Sequence, residues 1–456
     1  MSHGTAEAAS AGNSARPVTH RDVLLIAVPI MLSNATTPLI GFVDTVVIGQ
    51  MGLPHLIGGV AVGATIFNFL YWTFAFLRMG TTGLTAQALG ARDASEIAAN
   101  LHRALIVAVA AGVAMIATQS LIAWAALQIM GASAAVEAAA RTYFEIRIWA
   151  APAGLINFAL LGWFIGLGRT GLAFWVQIFL NVMNMLLAIL LVMGLDYGVA
   201  GVGTAALVSE WAAAILGLFL AYRDLLRRGG AVVSLAQVFD ATRIKRTFQV
   251  NSDIMIRTLC AITVVLFFTA QGARSGDLTL AANAILQSLV VITSNLLDGF
   301  AFAAESLVGR AIGARARARF EQAIRLSMIW AAVVGTVLSL AIWVAGPMII
   351  DFMTTSPEVR ELARAYLFWV VLTPIIGVWC FQLDGVFIGA TRTADMRNMM
   401  IVSVAIFFAA WAVLSPQFGN HGLWAATMIF YIARTLTLLG RYPALTRSSF
   451  PAAGTS

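Results

Sequence analysis

Asp44 stands near the end of an apolar stretch, DVLLIAVPIMLSNATTPLIGFVDTVVIGQ from Asp22 to Gln50. The stretch is long enough to cross a bilayer, since about 20 apolar residues at 1.5 Å each span roughly 30 Å of hydrocarbon. An ionised Asp at that depth costs about 2.5 to 3.5 kcal/mol on the insertion scale, so it must face a protein interior or a wet cavity. There it can carry a proton or hold a cation; the plainer reading is a fixed hydrogen-bonding strut. Pro29, on the same stretch, has no N–H to give and crowds the preceding turn, so the helix should bend or break there unless neighbours satisfy the freed carbonyl. The central expectation is that Asp44 takes up and releases a proton while the helix around Pro29 changes shape.

Other polar residues inside apolar windows divide by half of the chain. In the first half they are Asn34, Arg78, Gln87, Glu145, Asn181, Asn184 and Glu210. Asn181 and Asn184 are three apart and share a helix face; they serve Asp44 or a substrate, or else join helices at about 0.6 kcal/mol per bond. Glu210 has no partner nearby in sequence and is the second candidate proton carrier. Arg78 reads as structural, and Glu145 as paired with Arg141 one turn earlier. In the second half, Asp253 and Arg257 are four apart and suggest a structural salt bridge. Asp298 and Glu305 lie two turns apart on one face, with Asp384 on a later helix. Those three carboxylates form either a cation or proton site or a static network with basic partners.

The elements that must position these groups are membrane helices. The 456 residues are 60% hydrophobic and 11% charged, with mean hydropathy +0.87, whereas soluble domains are about 25% charged. Hydrophobic windows predict about twelve spanning helices, near 22–49, 57–85, 101–128, 136–166, 171–194, 199–222, 247–271, 278–308, 324–350, 359–389, 396–415 and 420–441, with ends uncertain by about 2–4 residues. Arginines crowd into alternate loops, among them Arg92 and Arg103, then Arg223, Arg227, Arg228, Arg243, Lys245 and Arg246, then Arg310 to Arg319. The positive-inside rule then puts both termini in the cytoplasm. The net charge of +7 speaks to orientation and lipid headgroups before nucleic acid.

The chain also repeats. Gly90-Ala91-Arg92 recurs as Gly313-Ala314-Arg315, and GWFIGLGRT from Gly162 recurs as GVFIGATRT from Gly385; 313 − 90 and 385 − 162 are both 223. Two six-helix halves in parallel orientation follow, and such halves can rock to expose a site alternately to each side. The expected division is a short disordered cytoplasmic tail (1–20), a first lobe (21–222), a cytoplasmic linker (223–246), a second lobe (247–442) and a C-terminal cytoplasmic tail (443–456). Cys260 and Cys380 read as small core residues, and no disulfide, metal or cofactor is expected. The five histidines lie in the tail or near helix ends without HExxH-like spacing, which leaves an enzyme reading poor.

The segments VPIMLSN (Val28–Asn34), VDTVVIGQMG (Val43–Gly52), FLRMGTTGLTAQALG (Phe76–Gly90), DGFAFAAESLVGRAIGA (Asp298–Ala314) and LDGVFIGATRTADMRNMM (Leu383–Met400) resemble those of multidrug and toxic compound extrusion (MATE) transporters. Together with NSDIMIRTL from Asn251, they resemble the DinF-like branch. The resemblance covers nearly the whole chain. It implies an all-α, V-shaped fold of two six-helix lobes in the inner membrane. It also implies export of cationic or amphipathic compounds in exchange for protons or sodium ions, with Asp44 as the coupling residue and bending at Pro29; a monomer is expected. Sodium coupling and a flippase for lipids or lipid-linked sugars are the alternatives. Many relatives carry an aspartate where this chain has Ala188, so one carboxylate and neutral oxygens remain for a hard cation, which favours protons.

Overall fold

In the computed structural model, residues 16–229 and 233–451 are described, and among them every regular element is helical. Among the described residues, twelve helices are long and apolar enough to cross a membrane. They are α1 (His20–Gly49), α2 (Pro54–Gly90), α3 (Ala94–Ala117), α4 (Ala134–Gly166), α5 (Thr170–Gly194), α6 (Gly198–Arg227), α7 (Ala241–Arg274), α8 (Asp277–Gly313), α9 (Arg317–Met353), α10 (Pro357–Gly389), α11 (Thr393–Phe418) and α12 (Asn420–Ser449). The polytopic all-α class expected from sequence is what the chain adopts. α1 is one uninterrupted helix through Pro29. α7 begins at Ala241, inside the expected linker, and α12 runs to Ser449, inside the expected tail. The first fifteen residues of the expected N-terminal tail, linker residues 230–232 and tail residues 452–456 lie outside the described residues.

The chain forms two compact units, interlaced in sequence. One holds residues 32–85 and 94–258; the other holds 1–31, 86–93 and 259–456. The sequence repeat breaks once, in the 223–246 segment, but the leading part of α1 counts with the second-half helices and the leading part of α7 with the first-half ones.

Each unit is pinned by glycines that let backbones touch. In the first-half unit, a Cβ on Gly162 of α4 would strike the backbone of Arg78 in α2. In the second-half unit, one on Gly385 of α10 would strike the backbone of Ala301 in α8, with Gly389 repeating the contact at Glu305. Since 301 − 78 and 385 − 162 both equal 223, the same crossing is built twice. Loop geometry repeats too. The left-handed residues Arg92 and Arg315, Gly168 and Thr391, and Asp196 and Gly419 are each 223 apart. Gly90 and Gly313 are reciprocal: the first abuts the backbone of Arg310 and Ala314, the second that of Gln87 and Ala91. Phe268, Leu286, Phe407, Trp424 and Phe430 belong to the core of the second-half unit.

Gly385→Ala should therefore lower the apparent melting temperature in detergent, because overpacking of a close crossing costs about 1–3 kcal/mol. Gly440→Ala, where a Cβ meets nothing within 4 Å, should leave it unchanged or raise it slightly. Equal effects at both positions would refute the crossing.

Candidate functional site

The first-half unit concentrates its buried charge on one guanidinium. α4 winds as an α-helix to Arg147, tightens into a 3-10 turn over Ile148–Ala150, and resumes at Ala151 with Pro152 in its first turn. Arg147 thus ends a helical segment and reaches across to α2 and α6. Its guanidinium lies 3.6 Å from Glu210 Oε1, donates to the hydroxyl of Tyr143 one turn back, and stacks 4.8 Å from the Phe67 ring centroid. Tyr71 Oη donates to Glu210 Oε2 at 2.8 Å, and Asn157 Nδ2 donates to the Glu210 carbonyl at 3.0 Å. Gly154 makes room for this, since a Cβ there would stand 2.6 Å from Tyr71 Oη and 2.7 Å from Glu210 Oε2. Both carboxylate oxygens of Glu210 are thus engaged, by Arg147 and Tyr71, while Arg147 Nε and Asn157 Oδ1 are buried without a hydrogen-bond partner.

Asp44 differs. It is 8% exposed and lies within the field of Arg147, yet its Oδ1 is buried without a hydrogen-bond partner. Among the described residues it makes no hydrogen bond or ion pair. One guanidinium thus acts on two carboxylates, of which only Glu210 is paired with it; with both ionised the group carries one surplus negative charge. Such a site can accept one monovalent cation, whether a proton or an organic ammonium.

The two asparagines of α5 act differently from each other. Asn181 Nδ2 donates to Thr36 Oγ1 at 2.7 Å while its Oδ1 accepts from Gln177, which ties α5 to α1. Asn184 Nδ2 reaches Ser209 Oγ at 3.3 Å, beside Glu210, and its buried Oδ1 has no hydrogen-bond partner. Ala188, one turn on, is fully buried, and the helix ends in a π-turn over Leu190–Gly194. Asn34 is half-buried on α1. Gln87 is elsewhere: its amide donates to Gly389 O and Thr391 Oγ1 at 3.0 and 3.1 Å, in the second-half unit, so it fastens a loop. Pro29 also counts with that unit, just before the division at Met31 and Leu32.

The second-half candidates separate. Asp384 is paired with Arg434 of α12 at 2.5 Å, and Arg434 lies between the Phe381 and Phe430 rings. Glu305 is fully buried on α8 and Asp298 half-buried. Asp253 is buried and Arg257 half-buried, and both fall within the first-half unit. Arg141 pairs with Glu137 at 3.9 Å and not with Glu145, which is exposed. Sequence reasoning passed over Arg147, Tyr71, Tyr143 and Arg434. The one available signal was the four-residue spacing of Tyr143 and Arg147 just before Pro152.

Residues 29–190 and 254–413 match the MatE family model, once in each half. DNA damage-inducible protein F of Escherichia coli (strain K12) is 40% identical over 413 residues, 91% of this chain and 90% of that protein. The probable multidrug resistance protein NorM of Acinetobacter baylyi is 23% identical over 424 residues, 91% of this chain and 94% of its own. A crystal structure of MATE in the bent conformation superposes with a TM-score of 0.83 at 18% identity, over 95% of this chain and all of that one.

Removing Arg147 should leave Glu210 buried beside no cation. Arg147→Met is expected to cost about 3–5 kcal/mol of stability, and Arg147→Met with Glu210→Met to recover most of it. Asn181→Ala should cost only about 0.6 kcal/mol. Denaturant unfolding of the purified variants in one detergent measures all three.

Proposed function

Because the chain belongs to the MatE family, whose members are membrane transporters, we propose that it exports cationic or amphipathic compounds in exchange for protons at Asp44. The observation that carries this reading is the surplus negative charge of Asp44 and Glu210 around Arg147. A proton or a cationic substrate neutralises that surplus, but both together overshoot it, so each expels the other. Linkage makes the exclusion reciprocal: a substrate that lowers proton affinity tenfold loses affinity tenfold on protonation, about 1.4 kcal/mol either way.

The conformational half of the cycle is assigned to α1. Pro29 leaves one hydrogen bond of this helix unmade, and the residues after Met31 count with the unit that holds Asp44, while those before do not. Loss of charge at Asp44 removes its attraction to Arg147 and frees the 32–49 segment to swing about Pro29. Asn181, bonded to Thr36, holds the same segment and loosens with it. In this reading the protein is a monomer of the cytoplasmic membrane, the arginine-rich loops and both termini are cytoplasmic by the positive-inside rule, and substrate leaves on the opposite side.

Proton coupling is favoured over sodium by Ala188, whose buried methyl offers no oxygen one turn from Asn184. A flippase for pyrophosphate-linked lipids would want unbalanced positive charge, whereas Arg147 and Arg434 each face a carboxylate.

Efflux of a fluorescent organic cation from proteoliposomes tests the assignment. Wild type should respond to an imposed proton gradient and not to a sodium gradient, and Asp44→Asn should lose at least about tenfold of the proton-driven rate. Substrate Kd should rise as pH falls through the titration of Asp44, by at most about tenfold per pH unit, and should be flat with pH in Asp44→Asn. Undiminished proton-driven transport by that variant would remove Asp44 from the mechanism.

A further inference from the structure

The leading part of α1 is held by second-half helices at both of its ends. At its start, Val18 N donates to Gln322 Oε1 and Trp330 Nε1 donates to His20 Nδ1, each at 3.1 Å, and both of these partners lie on α9. Further along, Ala27 and Met31, one helical turn apart, meet Gly299 of α8. A Cβ on Gly299 would strike the Met31 side chain and stand 2.8 Å from the Ala27 carbonyl oxygen, so the absence of a side chain is what lets the two helices come this close. Pro29 stands between the two contacts.

The seat is braced from behind. Two residues on from Gly299, Ala301 meets Gly385 of α10. Turned so that both its ends are satisfied, the Gln382 amide donates to Phe300 O and accepts from Ala301 N at 3.3 and 3.0 Å. Past the seat, α1 changes character. Val23, Ile26, Ala27 and Ile30 are buried, whereas Leu32, Leu39 and Phe42 are 54%, 48% and 67% exposed. A packed head, a proline at the boundary and a less packed remainder make the 32–49 part the one free to move.

The repeat sets this arrangement apart. The leading part of α7 is likewise seated on a glycine, with Asn251 against Gly80 of α2. Yet α7 has Ser252 where α1 has Pro29, 252 − 29 being 223, and it holds no proline along its length. The seat is built twice and the hinge once.

We propose that Gly299 is the fulcrum of the coupling helix. It fixes residues 20–31 on the second-half unit, so that bending at Pro29 displaces the 32–49 part, which carries Asp44. Gly299 acts through α1, as a positioning residue. The inference rests on the roles assigned above to Asp44 and Pro29.

The test uses the full-length protein, in proteoliposomes for transport of the fluorescent cation and in nanodiscs for amide hydrogen exchange at one pH. Gly299→Ala should cut proton-driven turnover roughly fivefold or more, as the strain of an overpacked contact converts to a rate. Substrate Kd and its pH dependence should stay within about twofold of wild type, since the substitution is distant from Asp44. Exchange in residues 20–31 should quicken in Gly299→Ala, whereas Asp44→Asn should quicken it only in 32–49. Gly422→Ala, whose Cβ would strike the Leu414 backbone elsewhere in the same unit, controls for instability: it should lower the melting temperature and leave turnover of the folded protein unchanged. Met31→Ala relieves one of the two conflicts and should restore part of the turnover lost in Gly299→Ala. If Gly299→Ala does not accumulate, Met31→Trp, which crowds the same contact from α1, should give the same split between turnover and Kd. Unchanged exchange in 20–31, or a turnover loss that Gly422→Ala matches and Met31→Ala does not relieve, overturns the proposal. Failure of the Asp44 assignment shows separately, as undiminished transport by Asp44→Asn, while exchange in 20–31 reports on the seat whether or not Asp44 couples.

Discussion

A single guanidinium in a low-dielectric setting can neutralise only one carboxylate, and the field of Arg147 acts on two. Glu210 holds its place through Arg147, Tyr71 and the α4–α6 packing that Gly154 permits. Asp44 gets the field but not the bond. Much of the first-half unit serves this imbalance. Phe67 and Tyr143 shield the guanidinium, and the 3-10 turn after Arg147 aims it. In the second-half unit, by contrast, Asp384 and Arg434 meet one to one at 2.5 Å. Two copies of one backbone plan thus carry different electrostatics, Arg147 acting on two carboxylates and Arg434 pairing with Asp384.

The fold was legible because its causes are local or periodic. Twelve hydrophobic windows translate directly into helices when every backbone group must be satisfied within its own segment. The 223-residue offset translated into matched crossings, down to Gly162 on Arg78 and Gly385 on Ala301. Helix ends were less legible: α7 starts in what reads as a polar linker, since a helix leaving the membrane need not stop at its surface.

The site was legible only in part, and the reason is sequence distance. Asp44 declares itself, because a carboxylate inside an apolar run is costly wherever it points. Glu210 could be nominated on the same ground. Their shared cation could not, because Arg147 meets Glu210 from 63 residues away, while the nearby Arg141 and Glu145 offered a false pair on the same helix. Asp384 likewise hid Arg434, 50 residues on. Gln87 misled in the opposite sense: its place in the apolar window suggested a ligand, but its amide holds the 389–391 loop.

The interlacing of the two units bears on how such a chain arises and is made. Residues 16–31 precede the whole first-half unit in the chain, but the unit to which they belong is finished only when α8–α12 have been inserted, more than two hundred residues later. The leading part of α7 makes the opposite trade. Neither half of the sequence, taken alone, therefore holds all the residues of one compact unit, and cutting the chain between the repeats would leave both units incomplete.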